Sequence, residues 1–319
     1  MPFRGIAGHS GPIATIRRIL GSGRVAHAYL FSGPEGIGKK KVATAFIEAL
    51  FCGKAEGCGE CISCRKILSG NHPDIHTLEP DGQFIKVDQV RGVQKDLSYR
   101  PYEALRKACI IDGADRFNLS SGNSLLKTLE EPPGNALIIL LATNIDTVLP
   151  TIRSRCQQLS FSGVPVEEIA GFLENNGVDA DIARVAASLA EGSIARALSL
   201  CSEEIMAERS EVITTACNLS LKNMIDLFSF GEQFDKDREK TLQIIGILTS
   251  FWRDMLHLAS GSSDLVNSDL STLLERETSR RSREALLRGL DQLGKTRQAL
   301  LRNANVRLSM DVLSMQLAI

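Results

Sequence analysis

Residues 28–39 constrain the fold of this chain more than any other stretch. Ala28-Tyr-Leu-Phe-Ser32 is a short apolar run suited to a buried strand, Gly33-Pro-Glu-Gly-Ile-Gly38 is a turn, and Lys39 opens a segment whose apolar residues Val42, Ala45, Phe46, Ala49 and Leu50 recur at helical spacing. Strand, glycine-rich turn and helix in that order match G-x-x-x-x-G-K in its working context, where backbone N–H groups and a helix N-terminus cradle phosphate. Two more apolar runs, 108–111 ending in Asp112 and 137–142, are continuous rather than alternating, which is what a parallel sheet covered on both faces requires. Pro132-Pro133-Gly134 separates the second of them from a helical stretch over 120–131.

The pattern changes after Phe161. Ser162-Gly-Val-Pro165 is a linker, a small helical unit follows to about Cys201, and the remainder carries helical periodicity through Ile225, Phe228, Leu242, Ile245, Leu248, Phe251, Trp252, Met255 and Leu256. The expected architecture is an α/β domain over 1–163, a helical unit over 164–201 and a second helical domain over 202–319. A chain of 319 residues, 43% apolar and 24% charged, suits several packed domains and excludes a disordered or collagen-like chain. With 37 Lys and Arg against 38 Asp and Glu, there is no global pull toward nucleic acid or membrane. The apolar run 136–142 falls far short of the roughly 18 residues of a membrane span, and Met-Pro-Phe-Arg-Gly5 lacks a signal-peptide pattern, so a cytoplasmic protein is expected.

Eight cysteines divide into a cluster, Cys52, Cys58, Cys61 and Cys64, and four others scattered through apolar segments. In a reducing compartment clustering points to metal and scattering to packing. Four thiolates complete a closed tetrahedral site, and Gly53, Gly57 and Gly59 let the chain turn between ligands. Zinc is favoured. An iron–sulfur cluster is the alternative, although no Cys-Pro follows Cys64 as it does in the ferredoxin run. His72 and His76 fall in a turn and a strand beyond the cluster and are expected to pack rather than ligate.

The phosphate loop has two departures from a hydrolytic site. Lys40 occupies the position where a Ser or Thr hydroxyl would ligate Mg²⁺, and Gly113 follows the strand-end Asp112 where a Glu would activate water. Asp112 and Asp115 are either remnants of such a site or ordinary turn and helix-start residues. Asn144, at the carboxyl edge of the sheet, is placed either to sense a terminal phosphate or to cap its loop. Arg153 and Arg155 lie in Leu149-Pro-Thr-Ile-Arg-Ser-Arg-Cys156, where arginine forms surface ion pairs or stabilises a transferring phosphate from a neighbouring subunit. Arg196, in Gly192-Ser-Ile-Ala-Arg-Ala197, resembles a residue that reaches a bound nucleotide. Residues 276–307 hold nine basic side chains against Glu277, Glu284 and Asp291, either a solvated face or a contact for DNA or an acidic partner. One Trp and 5% aromatics argue against a stacking platform for single strands, and no Gly-x-Ser-x-Gly turn supports ester or peptide hydrolysis.

His27-Ala-Tyr-Leu-Phe-Ser-Gly-Pro-Glu-Gly-Ile-Gly-Lys39, the four-cysteine insertion, Asn71-His-Pro-Asp74, Asn123-Ser-Leu-Leu-Lys-Thr-Leu-Glu-Glu-Pro-Pro133, Ala142-Thr-Asn144 and Ile152-Arg-Ser-Arg-Cys156 together resemble the bacterial clamp-loader branch of the AAA+ family. The resemblance is dense over residues 5–161 and thin beyond. It implies an AAA+ nucleotide-binding-type domain with a zinc-binding insertion at 52–64, a helical lid and an all-helical collar that assembles subunits. It further implies membership of a hetero-pentameric ring with ATPase subunits and a delta subunit, acting with a sliding clamp on primed DNA in replication. Lys40 and Gly113 point within that branch to a subunit that does not hydrolyse ATP, in which Gly33, Gly36, Gly38, Lys39, Asp112, Asn144 and Arg196 form a degenerate ATP site and Arg155 acts as an arginine finger in trans. The alternatives are an ATP-hydrolysing motor subunit of the same complex and a zinc-containing DNA-binding module.

Overall fold

A computed structural model describes residues 3, 5–52, 54, 57–234, 237–262 and 265–318; Gly53 lies outside the described residues. The chain divides into two compact units, 1–172 with 192–195, and 173–191 with 196–319.

The first unit alternates helix and strand: α1 (Ser10–Ser22), β1 (Ala28–Ser32), α2 (Lys39–Phe51), α3 (Ile62–Leu68), β2 (Ile75–Leu78), α4 (Val87–Ser98), β3 (Ala108–Asp112), α5 (Leu119–Glu130), β4 (Leu137–Ala142), α6 (Pro150–Arg153) and β5 (Gln157–Ser160). The strands form one parallel sheet in the order β2-β3-β4-β1-β5, with Ala28 opposite Ile138, Tyr29 opposite Gln157 and Ala108 opposite Leu137. Every residue of β1 and β4 is buried, so the continuous apolar runs do mark strands covered on both faces. Successive side chains nevertheless part by face. Tyr29, Phe31, Leu137 and Ile139 join Val42 and Phe46 of α2 in one core, whereas Ala28, Leu30, Ile138 and Leu140 join Val90, Leu97, Leu125 and Leu129 of α4 and α5 in the other. Tyr29 meets Phe46 edge to face at 5.2 Å between ring centroids. The helical stretch expected over 120–131 is α5, which begins one residue earlier because the Asn118 side chain accepts from Ser121 N and caps it.

A buried carboxylate fixes the loop before β3. Asp74, fully buried, accepts hydrogen bonds from the backbone N–H groups of Tyr102, Glu103 and Ala104 at 2.7–2.8 Å. Burial alone would raise its pKa, but these donors outweigh burial and hold it below the ordinary carboxylate value.

Helix α7 (Val166–Asn175) begins within the first unit, and the second unit holds α8 (Ala180–Leu189), α9 (Ile194–Leu200, from Arg196 onward), α10 (Glu203–Asn218), α11 (Met224–Glu232), α12 (Arg238–Ala259), α13 (Ser271–Arg280), α14 (Arg283–Leu301) and α15 (Val306–Leu317). The periodic residues expected at 245, 248, 251, 252 and 255 are all buried on α12, which packs against α13 and α14. Gly289 of α14 leaves room for Trp252: a Cβ there would stand 2.6 Å from the indole Nε1. The three-part division expected from the sequence is finer than these two units.

Asp74→Ala is expected to lower the stability of the sheet-bearing unit by about 1–3 kcal/mol, since it removes the buried acceptor of three backbone N–H groups. Because the folded pKa is depressed, Asp74 stabilises fully above its ordinary pKa of 3.8 and ceases to as pH falls through the lower folded value. Urea unfolding followed against pH should show that acid-side slope shrinking in the variant; an unchanged slope and midpoint would refute this role.

Candidate functional site

The β1–α2 loop leaves the carboxyl edge of the sheet, and its first residue passes close to Phe161 because it has no side chain. Gly33 N donates to Ala142 O (3.1 Å), and a Cβ on Gly33 would stand 2.2 Å from the Phe161 carbonyl oxygen. Ala195 N donates to Gly36 O (3.0 Å), and Gly38 caps α2 in the left-handed region. Lys39 is buried, and its Nζ donates to the carbonyls of Gly33 and Pro34, each at 2.6 Å. Burial lowers its pKa, with Asp112, Asp115 and Glu35 opposing the fall. Above the loop opens a cavity of about 690 Å³, whose walls include Gly36, Gly38, Lys39, Lys40, Asp112 and Asp115. That volume is ordinary for a small-molecule site.

The acidic wall is already occupied by protein cations and donors. The Lys40 ammonium is ion-paired with Glu79 and lies 3.7 Å from Asp112 Oδ2. Burial would lower the Lys40 pKa, yet these two carboxylates raise it. Gly113 contributes no side chain, and at φ 88° its backbone sits where a glutamate would be strained. Asp115 faces the cavity, but its Oδ2 accepts from both the N–H (3.2 Å) and the hydroxyl of Thr143. The Mg²⁺ that accompanies phosphate in hydrolytic sites of this kind does not fit: the hydroxyl ligand is missing, and a lysine charge stands beside the carboxylate that would bind the ion.

The expected residues thus meet unevenly. Gly36, Gly38, Lys39 and Asp112 share the cavity, and Gly33 meets it through the carbonyl that holds Lys39. Asn144 Oδ1 accepts from Asp146 N (2.9 Å), capping the short turn over 145–147. Arg196 falls in the second unit, 3.2 Å from Glu191. Glu79 and the Asp115–Thr143 pair went unrecognised. The signal for Glu79 was its place one residue past β2, at the sheet edge where α/β proteins collect ligands.

Arg155 follows α6 at the surface. Its Nε donates to Glu130 Oε1 at 2.8 Å, its Nη2 pairs with the same carboxylate, and its Nη1 donates to Thr151 O (3.0 Å) and Ser154 Oγ (3.3 Å). Arg153 lies 3.6 Å from Asp146. The basic segment is largely paired within its own unit: Arg276, Arg280 and Arg281 converge on fully buried Glu277, while Lys295 faces Asp291, Arg297 faces Glu191 and Arg307 faces Asp311.

The four clustered cysteines come together at the start of α3. Their Sγ atoms all lie within 4.8 Å of one another, an arrangement suited to a single metal ion. Backbone donors already point at sulfur, with Cys61 N 3.3 Å from Cys58 Sγ and Cys64 N 3.4 Å from Cys61 Sγ. The N–H groups of Glu60 and Cys61 bring the Cys58 thiol down to about 6. Cys109, Cys156 and Cys217, by contrast, are pushed up to about 12 by burial, as packing residues should be. His72 is buried, with Nε2 3.3 Å from Ser63 Oγ and its ring edge to face with Phe51.

A parallel five-stranded sheet with a phosphate-type loop at its carboxyl edge, followed by helices, is the AAA+ architecture. A gamma subunit-related DNA polymerase III protein from Thermotoga maritima shares the fold at a TM-score of 0.50 and 20% identity, over 96% of this chain and 98% of that one. Residues 8–165 match the family described as DNA polymerase III, delta subunit, and residues 203–315 match its C-terminal family. The chain is 33% identical over 301 residues to DNA polymerase III subunit delta' of Bacillus subtilis, spanning 92% of this chain and 91% of that one. It is also 30% identical to subunit tau of the same organism, over 80% of this chain and 50% of tau. The chain belongs to the DNA polymerase III delta-prime family.

Purified under reducing conditions, the protein is expected to carry a metal ion that Cys58→Ser loses, read by elemental mass spectrometry against protein concentration. A wild-type chain free of metal after expression in metal-supplemented medium would rule the cluster out as a metal site.

Proposed function

We propose that this chain is a non-hydrolysing subunit of a DNA polymerase III clamp loader, and that it supplies Arg155 in trans to the ATP site of a neighbouring ATPase subunit. The observation that carries this reading is the state of its own cavity. Lys40 pairs with Asp112 and Glu79 where a metal-binding hydroxyl would be needed, Gly113 offers no carboxylate to activate water, and one oxygen of Asp115 is held by Thr143. Arg155 is partly exposed and already oriented by Glu130, which suits a guanidinium that meets a partner's phosphate. The neighbour's ATP state would then bear on opening a sliding clamp and placing it on primed DNA.

On this reading 1–163 is the nucleotide-binding-type domain, 164–201 a lid and 202–319 the collar that joins a hetero-pentameric ring with ATPase subunits and a delta subunit. The protein would work in the cytoplasm; among the described residues no helix is long and apolar enough to cross a membrane. Cys52, Cys58, Cys61 and Cys64 would hold zinc: a tetrahedral site with Zn–S distances of about 2.3 Å has sulfur–sulfur edges near 3.8 Å, within reach of the spacing found. A closed four-sulfur site cross-links the insertion and leaves no position open for chemistry. The likeness to tau and the retained Lys39 favour one other reading, an ATP-hydrolysing motor subunit. The internal pairing of 276–307 leaves the DNA-binding module with less support.

The isolated chain should not turn over ATP, and Lys39→Ala should change nothing; Lys39-dependent turnover would establish the motor reading instead. In the reconstituted complex, Arg155→Ala should leave assembly intact and lower turnover at the facing site by about a hundredfold or more. Unchanged ATPase with that variant would overturn the role in trans.

A further inference from the structure

The same geometry that removes the metal site supplies a cation. Lys40 lies next to the phosphate-loop lysine, on the first turn of α2, with its ammonium between Glu79 and Asp112 at the cavity wall. In a hydrolytic site the divalent ion sits between the strand-end Asp and the polyphosphate. Here a covalently attached ammonium holds the place beside that Asp. We propose that this cavity binds the polyphosphate chain of a nucleotide in its metal-free form, with Lys40 standing in for the divalent cation.

The inference rests on the non-hydrolysing reading above and extends it to what the cavity holds. An ammonium carries one positive charge and N–H donors, so it can meet phosphate oxygens, but it has no coordination positions on which to polarise water. Lys39 supplies a second cation. Two of its three donors are spent on the carbonyls of Gly33 and Pro34, and those carbonyls are what an arriving phosphate would replace. Lys41 and Arg116 also line the cavity, so four basic side chains face Glu35, Glu79, Asp112 and Asp115. With the Lys40 ammonium already beside Asp112 and Glu79, a nucleotide that brought Mg²⁺ would set that ion against this charge, whereas the bare tetra-anion would not. Discrimination therefore runs opposite to that of a motor site: magnesium in solution competes for the nucleotide rather than helping it bind.

The full-length chain tests this by equilibrium dialysis with ATP, in buffer freed of divalent ions over a chelating resin and in the same buffer with excess magnesium. The resin is removed before the protein is added, because a soluble chelator would also reach metal at the cysteines. ATP is expected to bind about tenfold or more tightly without magnesium. Lys39→Ala should abolish that binding, which places it in this cavity. Lys40→Thr restores a hydroxyl beside Asp112 and should reverse the preference, so that magnesium then tightens binding. Wild-type binding that requires magnesium, absence of ATP binding without it, or a preference untouched by Lys40→Thr would each overturn the inference and leave the role of Arg155 standing. ATP converted to ADP during the dialysis would overturn the non-hydrolysing reading, and the inference with it.

Discussion

Gly33 leaves β1 with its α-carbon pressed against the Phe161 carbonyl, at a distance where any side chain would displace β5 or the loop. Hydrogen bonds on both sides close the position: Gly33 N donates to the carbonyl of Ala142, the last residue of β4, and Phe161 N, just past β5, donates to Ser32 O. The central strand is thus tied at its carboxyl end to both neighbours, and the phosphate-type loop starts from a fixed point. The remaining site geometry follows from that anchorage. Lys39 can reach back to the Gly33 carbonyl because α2 begins directly above it, and Lys40, one residue on, faces β2 and β3, where Glu79 and Asp112 emerge.

Desolvation decides how the cavity treats charge. Lys39 is buried enough for its pKa to fall, while Lys40, more exposed and held by two carboxylates, has its pKa raised. Two adjacent lysines therefore differ in kind. One is poised to gain an anion that offsets its burial, and the other already has counter-ions that must be shared or released for it to touch a ligand. A site built for hydrolysis keeps its acidic groups open toward metal and water. In this chain Asp112 stands beside an ammonium and one oxygen of Asp115 is held by Thr143, the arrangement on which the proposed non-hydrolysing role rests.

The three central strands and the phosphate-type loop are legible in the sequence because burial on both faces leaves a local signature, the continuous runs 28–32, 108–111 and 137–142, which the edge strands β2 and β5 lack. Helices α1 and α4 went unassigned, although Val87, Val90 and Leu97 recur near helical spacing; the intervening Asp88, Arg91 and Lys95 dilute a pattern that rests on Val90 and Leu97 alone being buried. Most of the candidate site was readable for the same local reason, since G-x-x-x-x-G-K and Cys-x2-Cys-x2-Cys are contiguous. The partners of those residues were not. Glu79 lies 39 residues from Lys40, Thr143 lies 28 from Asp115, and Glu130 lies 25 from Arg155, and no periodicity connects such pairs before the sheet order is known. The basic count over 276–307 misled in the opposite sense: summed charge cannot reveal that Glu277 is buried among three of the arginines.

Glu130 gives the proposed trans role of Arg155 a physical shape. A free arginine would surrender considerable side-chain entropy on meeting a phosphate, but this one is held by a carboxylate at Nε and Nη2 and by a carbonyl at Nη1, so much of that loss is incurred on folding. The same carboxylate competes with an incoming phosphate for the guanidinium fork, and only a ligand of greater charge at short range can displace or share it. Glu130 belongs to the Leu-Glu-Glu-Pro-Pro string, whose prolines end α5 and lead into β4, so the holder is itself fixed to the sheet. A guanidinium restrained in this way responds to an oxyanion docked opposite it and is quenched otherwise, which is the behaviour a neighbour's ATP site needs from an arginine it does not itself carry.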